Sequence, residues 1–113
     1  MMQRRRWERC RKELAVVIDA GGSHTVAAKT LDICEGGVGI VCDRAFEAGS
    51  RLRFEITEIA SGPMTGIVRW CTPPKSDGAH IVGVELDSLS AAHRDALADN
   101  LAIWRSQAAD EDA

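Results

Sequence analysis

Aromatic side chains and long apolar runs are both scarce in this sequence. The 113 residues include three Trp, two Phe and no Tyr. Barrels that bind single-stranded nucleic acids stack bases on aromatic side chains, so this composition argues against them. The longest apolar runs, such as 14–18 and 36–42, are far shorter than the roughly 20 residues of a membrane-spanning helix. The run at 14–18 follows a basic start but is shorter than the roughly 7–15 apolar residues of a secretory signal. We therefore expect a cytoplasmic protein with no membrane insertion.

Paired metal ligands are also missing. The four cysteines stand at positions 10, 34, 42 and 71 without a C-x-x-C pair, and the three histidines are scattered. This pattern predicts reduced thiols and no metal site. The sequence has no Ser-His-Asp grouping and no paired carboxylates at a suggestive spacing. We therefore expect neither an enzyme nor a protein with a bound cofactor.

Charge is distributed unevenly along the chain. Residues 1–12 carry six basic side chains and one acidic (net +5), whereas residues 13–113 carry eight basic and 16 acidic (net −8). A concentrated positive segment points to an anionic partner, while the acidic body would repel a long polyanion such as nucleic acid. The length suits one domain. We divide it into a basic flexible arm at 1–12, a folded domain at 13–106 and an acidic disordered tail at 107–113.

Hydrophobic periodicity predicts strands followed by one helix. The expected strands are 14–18, 25–33, 38–42, 51–56, 65–71 and 80–86. In the fourth, apolar residues alternate with charged ones, as in a half-buried strand. Near the C-terminus, Leu97, Leu101 and Trp104 recur at the spacing of a helical stripe, after a possible N-cap at Ser90. The fold class is therefore mainly all-β, a small antiparallel barrel or sandwich with the helix packed on it.

The first candidate motif is a pair of arginines in the arm, Arg5-x-x-x-Arg9. Residues four apart lie on one face of a helix, and also on one face of an extended segment. Both guanidinium groups can therefore converge on one ligand, where arginine binds phosphate bidentately or pairs with guanine. The alternative interpretation is a solvated basic terminus.

The second candidate motif is the segment DICEGGVG at 32–39. Its three glycines allow a ligand to approach the backbone N–H groups closely. The carboxylate of Asp32 can accept hydrogen bonds from the N–H groups of a base. The alternative interpretation is a bent or bulged strand connection, in which the glycines serve only the backbone geometry.

Together, and in this order, the two motifs resemble those of the PilZ domain family, whose members are bacterial receptors for the second messenger cyclic di-GMP. The family pattern is Arg-x-x-x-Arg followed further along the chain by Asp-x-Ser-x-x-Gly. The resemblance extends over residues 4–104 and includes the segments 49–52, 66–70 and 82–86. It implies a six-stranded antiparallel PilZ-type β-barrel with one C-terminal α-helix, and a signalling role in processes such as motility and biofilm formation.

In the arm, the resemblance implies roles for three arginines. Arg5 and Arg9 would hold guanine and phosphate groups of cyclic di-GMP. Arg4 directly precedes the motif, and in the family a basic residue there accompanies binding of a stacked pair of ligands. We therefore expect two cyclic di-GMP molecules per domain. We also expect the arm to be mobile without ligand, because its charges repel one another, and to close over the ligand on binding.

On the barrel, the resemblance implies that Asp32, Cys34, Gly36 and Gly37 contact the other side of the ligand. Cys34 stands where the family has Ser, and a thiol is a weaker hydrogen-bond donor than a hydroxyl. Losing one neutral hydrogen bond would weaken binding roughly three- to tenfold. Trp70 either stacks on a guanine, as an aromatic residue does in some members, or packs against the barrel.

Two alternative functions stay open beside the receptor. A PilZ-fold adaptor would act through protein contacts without binding nucleotide, although adaptors of this kind typically lack the arginine motif present here. A nucleic-acid-binding β-barrel would use the basic arm, but the acidic body and the few aromatic residues disfavour it. The expected function is a cyclic di-GMP receptor that changes conformation and signals to a protein partner, which the sequence does not identify.

Overall fold

The computed structural model describes residues 9–59, 62–87 and 89–112, with residues 108–112 described by their backbone alone. Within these residues, seven strands precede one helix. The strands are β1 (Cys10–Arg11), β2 (Ala15–Asp19), β3 (Thr25–Cys34), β4 (Gly37–Cys42), β5 (Arg51–Ile56), β6 (Met64–Cys71) and β7 (His80–Asp87), and the helix is α1 (Ala91–Asp112). In this described part of the chain, no helix is long and apolar enough to cross a membrane.

Six of the strands close into an antiparallel barrel. They follow the order β3-β2-β5-β6-β7-β4, and β4 pairs back with β3. The closure decides for a barrel over a sandwich, and it confirms the six-stranded fold with a C-terminal helix. In β5, Leu52, Phe54 and Ile56 point inward and are at most 3% exposed, while the residues between them are exposed. Strict alternation of this kind places one face of β5 in the core.

Helix α1 packs on the barrel through the predicted stripe. Leu97, Leu101 and Trp104 are 2%, 0% and 6% exposed and belong to the same hydrophobic core as the inward faces of the strands. Ser90 caps the helix, because its Oγ accepts a hydrogen bond of 3.1 Å from the backbone N–H of His93. The helix continues to Asp112, past the boundary at 106 that the sequence predicts.

The end of the arm is part of the sheet. Cys10 and Arg11 form β1 and pair with Ile33 and Asp32 of β3, so the flexible arm expected through residue 12 is already attached at this point. A strand of two residues carries no periodicity, which explains why the sequence does not reveal it.

Thr30 anchors the chain just after β1. Its hydroxyl donates a hydrogen bond to the carbonyl oxygen of Lys12 and accepts one of 2.9 Å from the backbone N–H of Leu14. Thr30 is 2% exposed, so both bonds are shielded from water. Buried polar groups of this kind are costly unless they are satisfied, and here the arm's own backbone satisfies the hydroxyl. The anchor fixes where the arm leaves the barrel.

Candidate functional site

An ion pair joins the arm to the barrel. The Nη1 atom of Arg9 lies 3.1 Å from Oδ1 of Asp32, and the two side chains are 27% and 20% exposed. Strand pairing causes this contact, because β1 begins directly after Arg9 and places Arg11 opposite Asp32 on β3. Arg9 of the first motif and Asp32 of the second are therefore in direct contact, although they are far apart in sequence.

Two glycines make room at this place, Gly39 for the carboxylate of Asp32 and Gly37 for the neighbouring strand. A Cβ atom on Gly39 would lie 2.8 Å from Oδ1 of Asp32, which is closer than real Cβ contacts come. A Cβ atom on Gly37 would lie 2.8 Å from the carbonyl oxygen of Val84 and 3.7 Å from Nη2 of Arg9. The glycines of the second motif thus permit close approach of side chains and of a neighbouring strand. Geometry and a binding role are compatible here, since both need the same uncovered backbone.

Trp70 lies flat over the backbone of the neighbouring strand. A Cβ atom on Gly83 would be 2.6 Å from Cζ2 of Trp70 and closer still to Cε2 and Nε1. The pairing of β6 with β7 is irregular between Val68 and Trp70, and such a bulge redirects the side chain that follows it. As a result Trp70 is 48% exposed rather than buried in the core. Its ring rests on the barrel and leaves one face accessible, the arrangement on which a base can stack.

A second ion pair lies beside Trp70. The Nε atom of Arg69 is 2.8 Å from Oε2 of Glu85, across the paired strands β6 and β7. The hydrogen bond from Arg69 lowers the pKa of the Glu85 carboxyl and raises that of the guanidinium, so both are charged at neutral pH. The sequence motifs assign no role to either residue. The register that pairs Gly37 with Glu85 is the signal that brings them to the site, and it is visible only in the folded sheet.

A shallow cavity of about 190 Å³ collects these groups. It is lined by Arg9, Gly36, Gly37, Arg69, Trp70, Gly83, Val84 and Glu85. Of the residues predicted to bind the ligand, Arg9, Gly36, Gly37 and Trp70 line the cavity, and Asp32 joins it through its ion pair with Arg9. Of the other three predicted residues, Arg4 and Arg5 lie outside the residues that the structure describes, and Cys34 lies away from the cavity.

Cys34 has a different place from its neighbours in the motif. It ends β3, pairs with Gly37 of β4 and is 5% exposed. It does not line the cavity. The thiol therefore lies behind the motif's surface, and direct contact with a ligand requires some local opening.

A comparison with protein families identifies the chain. The family model for the PilZ domain matches residues 3–102. The chain belongs to the PilZ domain family. The match includes residues 3–12 of the arm, the whole barrel and the first part of α1, so every residue that lines the cavity lies within the PilZ domain. None of the curated proteins compared with the sequence matches it.

Solved structures share the fold of this PilZ domain. The PilZ domain of YcgR from Escherichia coli, solved with c-di-GMP, superposes with a TM-score of 0.75 at 14% identity, covering 96% of this chain and 97% of that one. The K. pneumonia MrkH–c-di-GMP complex gives a TM-score of 0.80 at 12% identity, covering 97% of this chain and 56% of that one. The Bacillus subtilis inhibitor of motility MotI/DgrA gives 0.73 at 19% identity. The alignment covers 96% of this chain and 53% of MotI, so the chain spans about half the length of that protein.

Proposed function

We propose that this PilZ domain binds cyclic di-GMP between its arginine-bearing arm and the cavity beside Trp70. The observation that carries the proposal is the contact of Arg9 with Asp32, since it joins the two sequence motifs at the cavity that Trp70 also lines. Structures of YcgR and MrkH with c-di-GMP add support, because they share this fold. The proposed role is that of a binding domain that signals through a protein partner.

Charge balance explains why the arm is needed. In the cavity, Arg69 is paired with Glu85, and Arg9 is paired with Asp32. The described part of the site thus carries no excess positive charge, whereas cyclic di-GMP brings two phosphates. Among the other arginines of the arm, Arg5 of the first motif and the preceding Arg4 supply the missing charge. Arginine suits this task because its planar fork binds phosphate oxygens bidentately.

The small size of the cavity also indicates that the arm is needed to bind the ligand. The space beside Trp70 is about 190 Å³, below the roughly 300–1,000 Å³ of sites that enclose a small ligand. The barrel therefore provides only one wall, and we propose that the arm forms the other. A guanine stacks on Trp70, its N–H groups donate to the carboxylate of Asp32, and Arg9 turns from Asp32 toward guanine or phosphate. Arg4 extends the site to a second, stacked ligand molecule.

Titration calorimetry with cyclic di-GMP tests the proposal. We expect saturable binding with two ligands per domain, and loss of most binding in Arg5→Ala and Arg9→Ala. The matched control is Arg53→Ala, because Arg53 is exposed on β5 and does not line the cavity. Cyclic di-AMP serves as the ligand control, since it keeps the phosphates and changes only the bases. Absence of cyclic di-GMP binding, or equal binding by Arg9→Ala and the intact domain, would refute the proposal.

The conformational response is the second part of the proposal. The arm is attached at β1, so we propose that ligand binding orders the residues before it and changes the surface offered to a protein partner. Amide NMR spectra of residues 3–12, recorded with and without cyclic di-GMP, test this directly. We expect new, dispersed peaks for the residues preceding β1. Unchanged spectra on saturation with ligand would rule out the switch while leaving binding itself intact.

A further inference from the structure

The C-terminal part of α1 contacts the turn that carries the second motif. Arg105 donates two parallel hydrogen bonds to Glu35, from Nη1 to Oε2 at 2.9 Å and from Nη2 to Oε1 at 2.8 Å. Glu35 lies between β3 and β4 and directly precedes Gly36, which lines the cavity. The carbonyl oxygen of Gly36 accepts a further hydrogen bond of 3.0 Å from the backbone N–H of Leu86. The turn is thus held from the helix on one side and from β7 on the other.

The same part of α1 also contacts the base of the arm. The Nζ atom of Lys12 lies 6.0 Å from the centre of the Trp104 ring, within the range of a cation–π interaction. Lys12 is the residue whose carbonyl oxygen is bonded to Thr30. Two neighbouring helix residues, Trp104 and Arg105, therefore touch the two halves between which the ligand is proposed to bind.

We propose that Arg105 is a positioning residue for cyclic di-GMP binding, which it supports by holding the turn of Glu35 and Gly36 in place. The inference rests on the proposed function. A backbone N–H recognises an anion well only when its direction is set before the ligand arrives, because ordering a loose turn on binding lowers affinity. The affinity for cyclic di-GMP is then coupled to the contact between Arg105 and Glu35. Because such coupling is reciprocal, bound ligand also stabilises the end of α1.

The geometry of the pair separates it from an ordinary surface contact. Exposed ion pairs that share one hydrogen bond contribute little to stability. This pair shares two hydrogen bonds, and its side chains are only 26% and 30% exposed. Arg105 also lowers the pKa of the Glu35 carboxyl through these hydrogen bonds, which agrees with a strong contact. Arg94 is a useful contrast, since it is exposed on the same helix and borders the same space as Glu35 without an ion pair to it.

Glu35→Ala is the discriminating variant. It removes a negative charge close to a site for a dianion, so charge alone predicts tighter binding. If the ion pair positions the turn, the variant should bind more weakly, because it loses the two hydrogen bonds that attach the turn to Arg105. We expect Glu35→Ala and Arg105→Ala each to weaken cyclic di-GMP binding about three- to tenfold, and the double variant to bind no more weakly than either. Arg105→Lys keeps the charge without the planar fork and should recover only part of the affinity.

Calorimetry on the full chain, at a temperature where each variant is folded by circular dichroism, measures these effects, with Arg94→Ala as the matched control. Hydrogen exchange of residues 101–107, measured relative to that of β5 in the same sample, separates a local effect on the helix from a change in overall stability: ligand should slow it beyond the slowing of β5 in the intact domain and much less in Arg105→Lys. If the intact domain binds but Glu35→Ala binds equally or more tightly, or the two losses add in full, the inference is overturned and the proposed function stands. If the intact domain does not bind, both fall.

Discussion

The contact of Trp70 with Gly83 offers the sharpest single-atom perturbation of this PilZ domain. In Gly83→Ala the added methyl would occupy space that the indole ring now fills, since its carbon would lie 2.6 Å or less from three ring atoms. Carbon atoms in contact are about 3.5–4.0 Å apart, so ring and methyl must separate by more than 1 Å. Trp70 is 48% exposed and can swing toward solvent, whereas the backbone of β7 is held between two strands. The ring is therefore what moves.

Gly83→Ala is expected to have a smaller effect on the free energy of unfolding than on the affinity for cyclic di-GMP. About half of the indole is buried, or about 100 Å² of a large aromatic side chain, worth at most about 2.5 kcal/mol at about 25 cal/mol/Å². Because the displaced ring still covers other parts of the surface, we expect Gly83→Ala to lower the free energy of unfolding by about 1 kcal/mol. Stacking of a base on an aromatic ring contributes about 1–3 kcal/mol, so cyclic di-GMP affinity should fall roughly 5- to 150-fold.

The assay compares ligand affinity with urea unfolding for Gly83→Ala, Trp70→Ala and a control. Gly22→Ala is the control, because Gly22 has a φ of 59° and no atom within 4 Å of its Cβ position, at the turn before β3. The added methyl is strained there by about 1 kcal/mol, which matches the loss in stability without touching the cavity. We expect Trp70→Ala and Gly83→Ala to bind alike, and Gly22→Ala to bind as the intact domain does. Undiminished binding by Gly83→Ala would refute the stacking role of Trp70.

Three further predictions address other parts of the molecule. Cys34→Ser should bind cyclic di-GMP equally, or up to about tenfold more tightly where local opening brings the better-donating hydroxyl to the ligand; weaker binding in calorimetry would contradict this. Leu101→Ala should lower the free energy of unfolding by about 2–5 kcal/mol in urea, since Leu101 is 0% exposed, whereas Ile103→Ala at 55% exposed should change it by less than about 0.5 kcal/mol. The hydrogen bonds from Arg105 lower the pKa of Glu35 below 4.5, so this pair stabilises the fold above that pH and is lost as the pH falls through the lowered value. The stability difference between the intact domain and Glu35→Gln should thus shrink as the pH is lowered from neutrality through the ordinary glutamate pKa and then through the lowered one, and a constant difference in urea titrations would show that Glu35 does not contribute this way.

Local patterns in the sequence predicted β2 to β7, the helix and part of the site. The alternation in β5 and the stripe of Leu97, Leu101 and Trp104 are visible without coordinates because each depends on residues a few positions apart. The motif residues Arg9 and Asp32 could be named for the same reason. Sequence periodicity does not predict β1, the redirection of Trp70 at a bulge or the burial of Cys34, however.

Pairing between distant residues is what only the tertiary structure decided. Closure of β4 onto β3 selects a barrel over a sandwich, and the register of β7 brings Glu85 beside Gly37 and Gly83 beneath Trp70. The contact of Arg105 with Glu35 likewise joins residues that are 70 positions apart in the sequence. Such contacts depend on strand order and on how the helix packs. A short window of sequence does not reveal either of these. The sequence by itself thus determined which groups could bind an anion, and the fold decided which of them share one cavity and what holds them there.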